Sequence, residues 1–196
     1  MSVDFGTLRG QFLIAGKCLR DPNFFKTVVL IVDHSEEGSV GLVVNQPTGV
    51  NISDALGEHM EVPETPEVVH VGGPVSSTSL FILHNSQLLD PDAAKVASGI
   101  YFGSHPSVFE EAVTETIAEQ DSGKMKKLAF RVFCGCAGWG PFQLESELTR
   151  ADWMLLPATE DDVFRRNPHE MWDELYQQAL QQESLISHLP GDPSLN

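Results

Sequence analysis

Apolar positions run in short blocks through the first half of the chain and at helical spacing through parts of the second. Residues 11–15 hold Phe12, Leu13 and Ile14 in one unbroken run. Residues 26–33 contain Thr27-Val28-Val29-Leu30-Ile31-Val32, which is β-branched and apolar on both faces. That pattern predicts a central strand covered on each side. The polar turn Ser35-Glu36-Glu37-Gly38-Ser39 separates it from Val40-Gly41-Leu42-Val43-Val44-Asn45, so the two runs predict a hairpin. Pro47 and Gly49 stop the second strand, and Ser53 is placed to cap a short helix reaching about Met60. Pro63 and Pro66 make residues 61–67 a loop. Val68-Val69-His70-Val71 reads as a strand ending in Gly72-Gly73-Pro74, and residues 80–84 as another. Residues 85–98 are polar and read as an exposed excursion before Ile100-Tyr101-Phe102 resumes extended structure.

Helical periodicity begins near Pro106. Phe109, Val113 and Ile117 recur every four residues beside Val108 and Ala112, and Ser107 with Glu110 fits a capping box. Gly123 closes this segment, and Lys124, Lys126 and Lys127 form a solvated turn. Residues 128–134 alternate as a strand with Leu128, Phe130, Val132 and Cys134 on one face. Gly135, Gly138 and Gly140 then read as a glycine-rich turn, and Pro141 as the start of a helix carrying Leu144 and Leu148. Residues 153–156 are extended, residues 161–164 a helical turn, and residues 168–180 a helix packed through Met171, Trp172, Leu175 and Leu180. Strands cluster early and helices follow without regular alternation, which predicts an α+β fold. Residues 1–189 are read as one domain and 190–196 as a disordered tail.

Charge changes the picture more than size does. Twenty-eight acidic residues face twelve basic ones, a formal net charge of −16. Such a surface repels phosphate backbones and anionic lipid, so direct nucleic-acid and membrane partners are not expected. No helix-turn-helix pattern or basic stripe is present. Three cysteines in no disulfide-like spacing, and a start without a signal-peptide pattern, predict a cytoplasmic protein.

Candidate chemistry is sparse. The glycine-rich turn matches neither the P-loop nor the dinucleotide fingerprint, and Glu145 and Glu147 oppose an anion there. Cys136 at a helix start is a candidate nucleophile, but it needs a base, and none is near in sequence. Cys134 and Cys136 lack the second ligand pair of a zinc site, and within one strand they would share a face. His34, His70 and His84 sit on strands, where convergence on a metal is conceivable but nothing fixes it. No catalytic residue, metal or cofactor is therefore assigned.

Several segments together resemble the YqgE/AlgH family, which has no established activity. They are Phe12-Leu13-Ile14-Ala15, Phe25-Lys26-Thr27-Val28-Val29, Asp33-His34 and Gly41-Leu42-Val43-Val44-Asn45-Gln46-Pro47. Val71-Gly72-Gly73-Pro74-Val75, Cys136-Ala137-Gly138-Trp139-Gly140-Pro141 and Gln143-Leu144-Glu145 continue the series, with Trp153 and residues 164–172 after them. The resemblance implies one α+β domain whose mainly antiparallel sheet is bifurcated and folds into a pseudo-barrel with flanking helices. Some members carry the label of transcriptional regulator, a role the acidic charge here makes indirect. Two positions depart from the family pattern: Gln46 stands where arginine is common, and Phe142 where glycine is common.

The motif residues at strand ends define a candidate binding surface: Asn45, Gln46, Pro47, Gly72, Gly73, Pro74, Gly138, Trp139 and Gln143. Trp139, an indole among glycines on a loop, is either a lid over the core or a contact surface. The expected function is binding of a small ligand or a protein, with oligomerisation left open. The rival readings are a hydrolase or thiol-dependent enzyme using Cys136 or a histidine, and a DNA-binding regulator.

Overall fold

The predicted hairpin forms the spine of one half of the molecule. In the computed structural model, which describes residues 6–57, 62–120, 127–164 and 166–187, β2 (Val28–Ser35) pairs antiparallel with β3 (Gly38–Val43). On its other edge β2 pairs with β1 (Gln11–Ala15), and β1 with β10 (Trp153–Pro157). Residues 28–32 are buried throughout, as a strand apolar on both faces requires. Lys26 lies outside β2 with φ of 53°, so the strand starts two residues later than the apolar pattern suggests.

The second half is built on β5 (Val68–Val71), β6 (Val75–His84), β7 (Ala94–Ala97) and β8 (Ile100–Gly103). β4 (Pro47–Asn51) is attached through β5. Among the described residues the sheet has ten strands, and its main path runs β10-β1-β2-β3-β9-β6-β8-β7. All pairings are antiparallel except that of β5 with β9 (Phe130–Trp139). The fold is thus α+β, with a curled and forked sheet.

β9 is the strand on which the sheet forks. One edge pairs with β6 along its length, from Phe130 to Cys136. The other edge changes partner: Val132 to Cys134 pair with β5, and Ala137 to Trp139 pair with β3. Gly135 sits at the change with φ of 75°, a conformation that disfavours any side chain. Gly72 wedges into the fork, where its N–H donates to Cys134 O (2.9 Å) and its carbonyl accepts from Val43 N–H (2.8 Å). A Cβ on Gly72 would overlap the Gly135 carbonyl oxygen.

Two cores follow from the fork. One gathers β1, β2, β3, β10, the end of β9 and the later helices α3 (Gln143–Thr149), α4 (Glu160–Phe164) and α5 (Pro168–Ser187). The other gathers α1 (Ile52–Leu56) and α2 (Pro106–Gln120) on β5, β6 and the start of β9. α5 is anchored by Met171, Trp172, Leu175, Tyr176 and Ala179, and Trp172 Nε1 donates to Ala15 O at 2.9 Å. Leu180, expected in that stripe, is partly exposed, as is Ile117 on α2.

Several expectations are corrected. The glycine-rich segment is strand rather than turn, because backbone pairing to β3 and β6 continues through Gly135 and Gly138. Trp139 is therefore a strand residue, 6% exposed, and not a loop lid. Cys134 and Cys136 pack in different cores because the positive φ at Gly135 breaks the alternation. α3 starts at Gln143, and Pro141 precedes it in a turn. α1 follows Asn51 and ends at Leu56, so Ser53 lies inside it and caps nothing. Pro106 opens α2, which puts Ser107 past the cap position. β6 begins at Val75 rather than Leu80. Residues 85–98 are not a free excursion, since β7 forms there and Leu89 and Val96 are buried. Met60, Gly123, Lys124, Lys126 and residues 190–196 lie outside the described residues.

Candidate functional site

Where β9 ends, the chain turns through Gly140, Pro141 and Phe142 into α3 and lays that helix beside β10. Gln143 and Glu147 are one turn apart and share a face. The Glu147 carboxylate organises the corner. Its Oε2 accepts both indole N–H groups, from Trp139 at 2.9 Å and Trp153 at 2.8 Å. Its Oε1 accepts the Gln143 amide at 2.9 Å, and Gln143 Oε1 accepts the Gly140 N–H at 3.1 Å. Bonds of this kind to a carboxylate are stronger than neutral ones and fix the rings in place.

A third ring completes the corner. Phe24 stacks on Trp139 (centroids 6.2 Å apart) and meets Trp153 edge-on at 5.4 Å. Trp139 and Trp153 are themselves edge-on at 6.0 Å. Together they wall a cleft of about 490 Å³, with Cys18, Pro74, Val75 and Gly138 at its sides. Arg20, Asp21, Arg150 and Asp152 bring both signs of charge to it. The Arg150 guanidinium forks onto Asp152 Oδ2 at 3.0 and 2.7 Å and reaches Ser146 Oγ at 3.0 Å.

The nine sequence candidates divide. Pro74, Gly138, Trp139 and Gln143 line this cleft. Asn45 does not: its Oδ1 accepts Val28 N–H (2.8 Å) and its Nδ2 donates to Lys26 O (3.0 Å), stitching the start of β2 to the end of β3. Gln46 offers its carbonyl to Val71 N–H at 2.9 Å, and Gly72 and Gly73 fill the fork. Pro47 lines a separate pocket with His70 and Arg131. Trp139 pairs with Ser39 at the start of β3, whereas Asn45 lies beyond its end, so the motif serves two places. Phe142, where glycine is common in the family pattern, holds φ of 60° with its ring exposed, so the helix start is strained and not crowded.

The residues considered for catalysis are separately engaged. Burial pushes the Cys136 thiol up, opposite to the shift a nucleophile needs. Cys134 Sγ donates to Ser77 O at 2.7 Å. His34 Nδ1 accepts Leu8 N–H at 3.3 Å, which leaves Nε2–H to donate to Glu145 at 2.9 Å. His84 Nδ1 lies 2.8 Å from Ser86 O. Among the described residues no group of three His, Cys, Asp or Glu side chains is arranged to hold a metal ion.

Sequence reasoning took Glu147 for a dipole-complementing residue and passed over Arg150 and Arg131. The spacing of Gln143 and Glu147 was the usable signal for the first. For Arg131 it was a lone cation inside the apolar run Phe130-Arg131-Val132-Phe133.

Fold and corner define a class: a single-domain α+β protein on a curled, forked sheet with a tryptophan-braced cleft at one end. The pattern of the AlgH-like family matches residues 12–183, and the chain belongs to that family. The UPF0301 protein of Streptomyces avermitilis is 36% identical over 195 residues, covering 99% of this chain and 98% of its own. The UPF0301 protein of Chlorobaculum tepidum is 30% identical over 197 residues and covers both chains completely. The solution structure of the AlgH protein from Pseudomonas aeruginosa superposes with a TM-score of 0.67 at 30% identity, covering 94% of this chain and 95% of that one. A crystal structure from Corynebacterium diphtheriae shares the fold, with a TM-score of 0.67 at 22% identity over 88% of this chain and 87% of that one.

Proposed function

We propose that this chain is a cytoplasmic binding protein and not a catalyst, and that the cleft at the β9–α3 corner is its recognition surface. The ligand class it suits is a small molecule or peptide side chain with a flat apolar body and polar ends. One observation carries the reading: three aromatic rings, held by a single carboxylate, wall a cleft of about 490 Å³ whose other lining residues carry both signs of charge. Rigid aromatic walls beside placed polar groups suit a ligand that carries both an apolar body and polar ends. Glu147 already accepts three donors, which commit both of its oxygens to bracing the corner. Three free thiols, one of them exposed, suit a reducing compartment. Among the described residues no helix is long and apolar enough to cross a membrane. A net charge of −16 disfavours direct DNA contact, so any regulatory role passes through what the cleft binds.

The test changes the cleft without disturbing its braces. Val75 and Arg150 line it and are exposed, so Val75→Trp narrows it and Arg150→Glu reverses one charge. Ligands or partners recovered from extract by the intact chain are expected to be lost by Val75→Trp and weakened by Arg150→Glu, with both variants folded. Equal recovery by all three proteins contradicts the proposal.

A further inference from the structure

The second pocket shares no lining residue with the cleft. It lies between β5 and the start of β9 on one side, and α2, the end of α4 and the start of α5 on the other, with a volume of about 380 Å³. Two polar side chains on its wall lack the partners their burial calls for. Arg131 on β9 is 8% exposed, and among the described residues its guanidinium donates only to backbone carbonyls, Val44 O at 2.9 Å and Arg166 O at 3.2 Å. No carboxylate forms an ion pair with it among the described residues; Glu67, on the exposed loop before β5, acts on it from a distance. His70 on β5 is 6% exposed, and neither ring nitrogen makes a well-formed hydrogen bond, although the Val68 backbone lies close enough to favour the protonated ring. Buried charges are normally paired and buried polar atoms normally bonded, so two such residues lining one cavity point to a third group.

We infer that this pocket binds a small apolar monocarboxylate, anchored by Arg131 and His70. The charge count selects a monoanion. Arg131 supplies one positive charge, while Glu67 on the same wall and the acidic protein as a whole oppose a second negative one. Val68, Leu128, Phe130 and Phe164 supply the apolar surface for the body of the ligand. A carboxylate is the planar two-oxygen partner a guanidinium fork fits. The His70 nitrogens are shielded from solvent, so donation to the anion requires the imidazole to rotate toward the cavity.

Binding is coupled to protons. Burial first, then the Arg131 charge, hold His70 down to about 4 against the neighbouring Val68 backbone, so the ring is neutral near pH 7. The charged groups facing it are Arg131 from β9 and Glu67 from the loop before β5; Thr116 from α2, and Phe164 and Pro168 from α4 and α5, bring none. A bound carboxylate offsets Arg131 and favours the protonated ring, so affinity rises as pH falls from 7 to about 5.5, above the range where the ligand itself protonates.

The experiment follows the His70 ring resonances of the full chain by NMR during titration with isobutyrate, its neutral isostere isobutyramide, or inorganic phosphate. Isobutyrate is expected to give a saturable shift with a Kd on the order of millimolar, phosphate a weaker one and isobutyramide none. Glu67→Gln, at an exposed site, is expected to tighten isobutyrate about threefold, and Arg131→Met to weaken it at least about tenfold. If Arg131→Met does not fold, Glu67→Gln decides. The inference fails if isobutyrate gives no saturable shift up to about 100 mM, if amide or phosphate binds as well as the acid, or if Glu67→Gln leaves the affinity unchanged.

Discussion

Glu147 shows how a residue can matter to a binding cleft without touching the ligand. Removing its carboxylate leaves two indole N–H groups in a buried corner without an acceptor. Glu147→Ala is therefore expected to cost about 3 kcal/mol in urea unfolding, whereas Arg150→Ala, which breaks an exposed ion pair, stays within about 0.5 kcal/mol. Phe142 gives the opposite sign. It holds a left-handed backbone with an exposed ring, so Phe142→Gly is expected to gain about 1 kcal/mol in the same assay. The sequence marked this corner through Trp139 and Gln143 but missed its hub. A glutamate in the first turns of a helix looks like any dipole-complementing residue until the strand that brings Trp139 beside it is in place.

The glycines belong to the scale of elements. Gly72, Gly73 and Gly135 let three strand segments meet where β9 exchanges β5 for β3. Gly72→Ala is expected to cost about 3 kcal/mol or more, or to prevent folding, because the new methyl group meets backbone that no side-chain movement can clear. Circular dichroism and urea unfolding check this. Elements with a local signal were readable from sequence: the β2–β3 hairpin from its β-branched runs and polar turn, and α2 and α5 from their periodicity. Elements made by distant pairing were not. β9 carries Gly135 and Gly138, which with Gly140 just past its end read locally as a turn, and only partners far along the chain on both edges make it a strand. β7 is four residues long, too short for a periodic signal of its own, and exists because β8 folds back on it. The forked sheet itself was visible through family resemblance and not through any single segment.

Across the whole molecule, one pocket lies at the β9–α3 corner and the other where β5 and the start of β9 meet α4 and α5, and buried histidine links the second to pH. His70 falls from an ordinary 6.5 to about 4 on folding, so between those values the unfolded chain takes up a proton that the folded one refuses. Stability therefore declines as pH drops from 6.5 to about 4, by about 3 kcal/mol in all. Burial also pulls His84 down, adding a decline of the same sign. His70→Phe is expected to flatten much of this slope in urea unfolding repeated across that range. The central claim is narrower: the braced corner is where the protein recognises its ligand. The measurement that meets it most directly is a fragment screen on the full chain read at the indole N–H signals of Trp139 and Trp153. Because Glu147 holds both, a ligand in the cleft is predicted to move the two signals together and to leave that of Trp172, bonded to Ala15, in place. Fragments that bind the protein while both cleft indoles stay unmoved would contradict it.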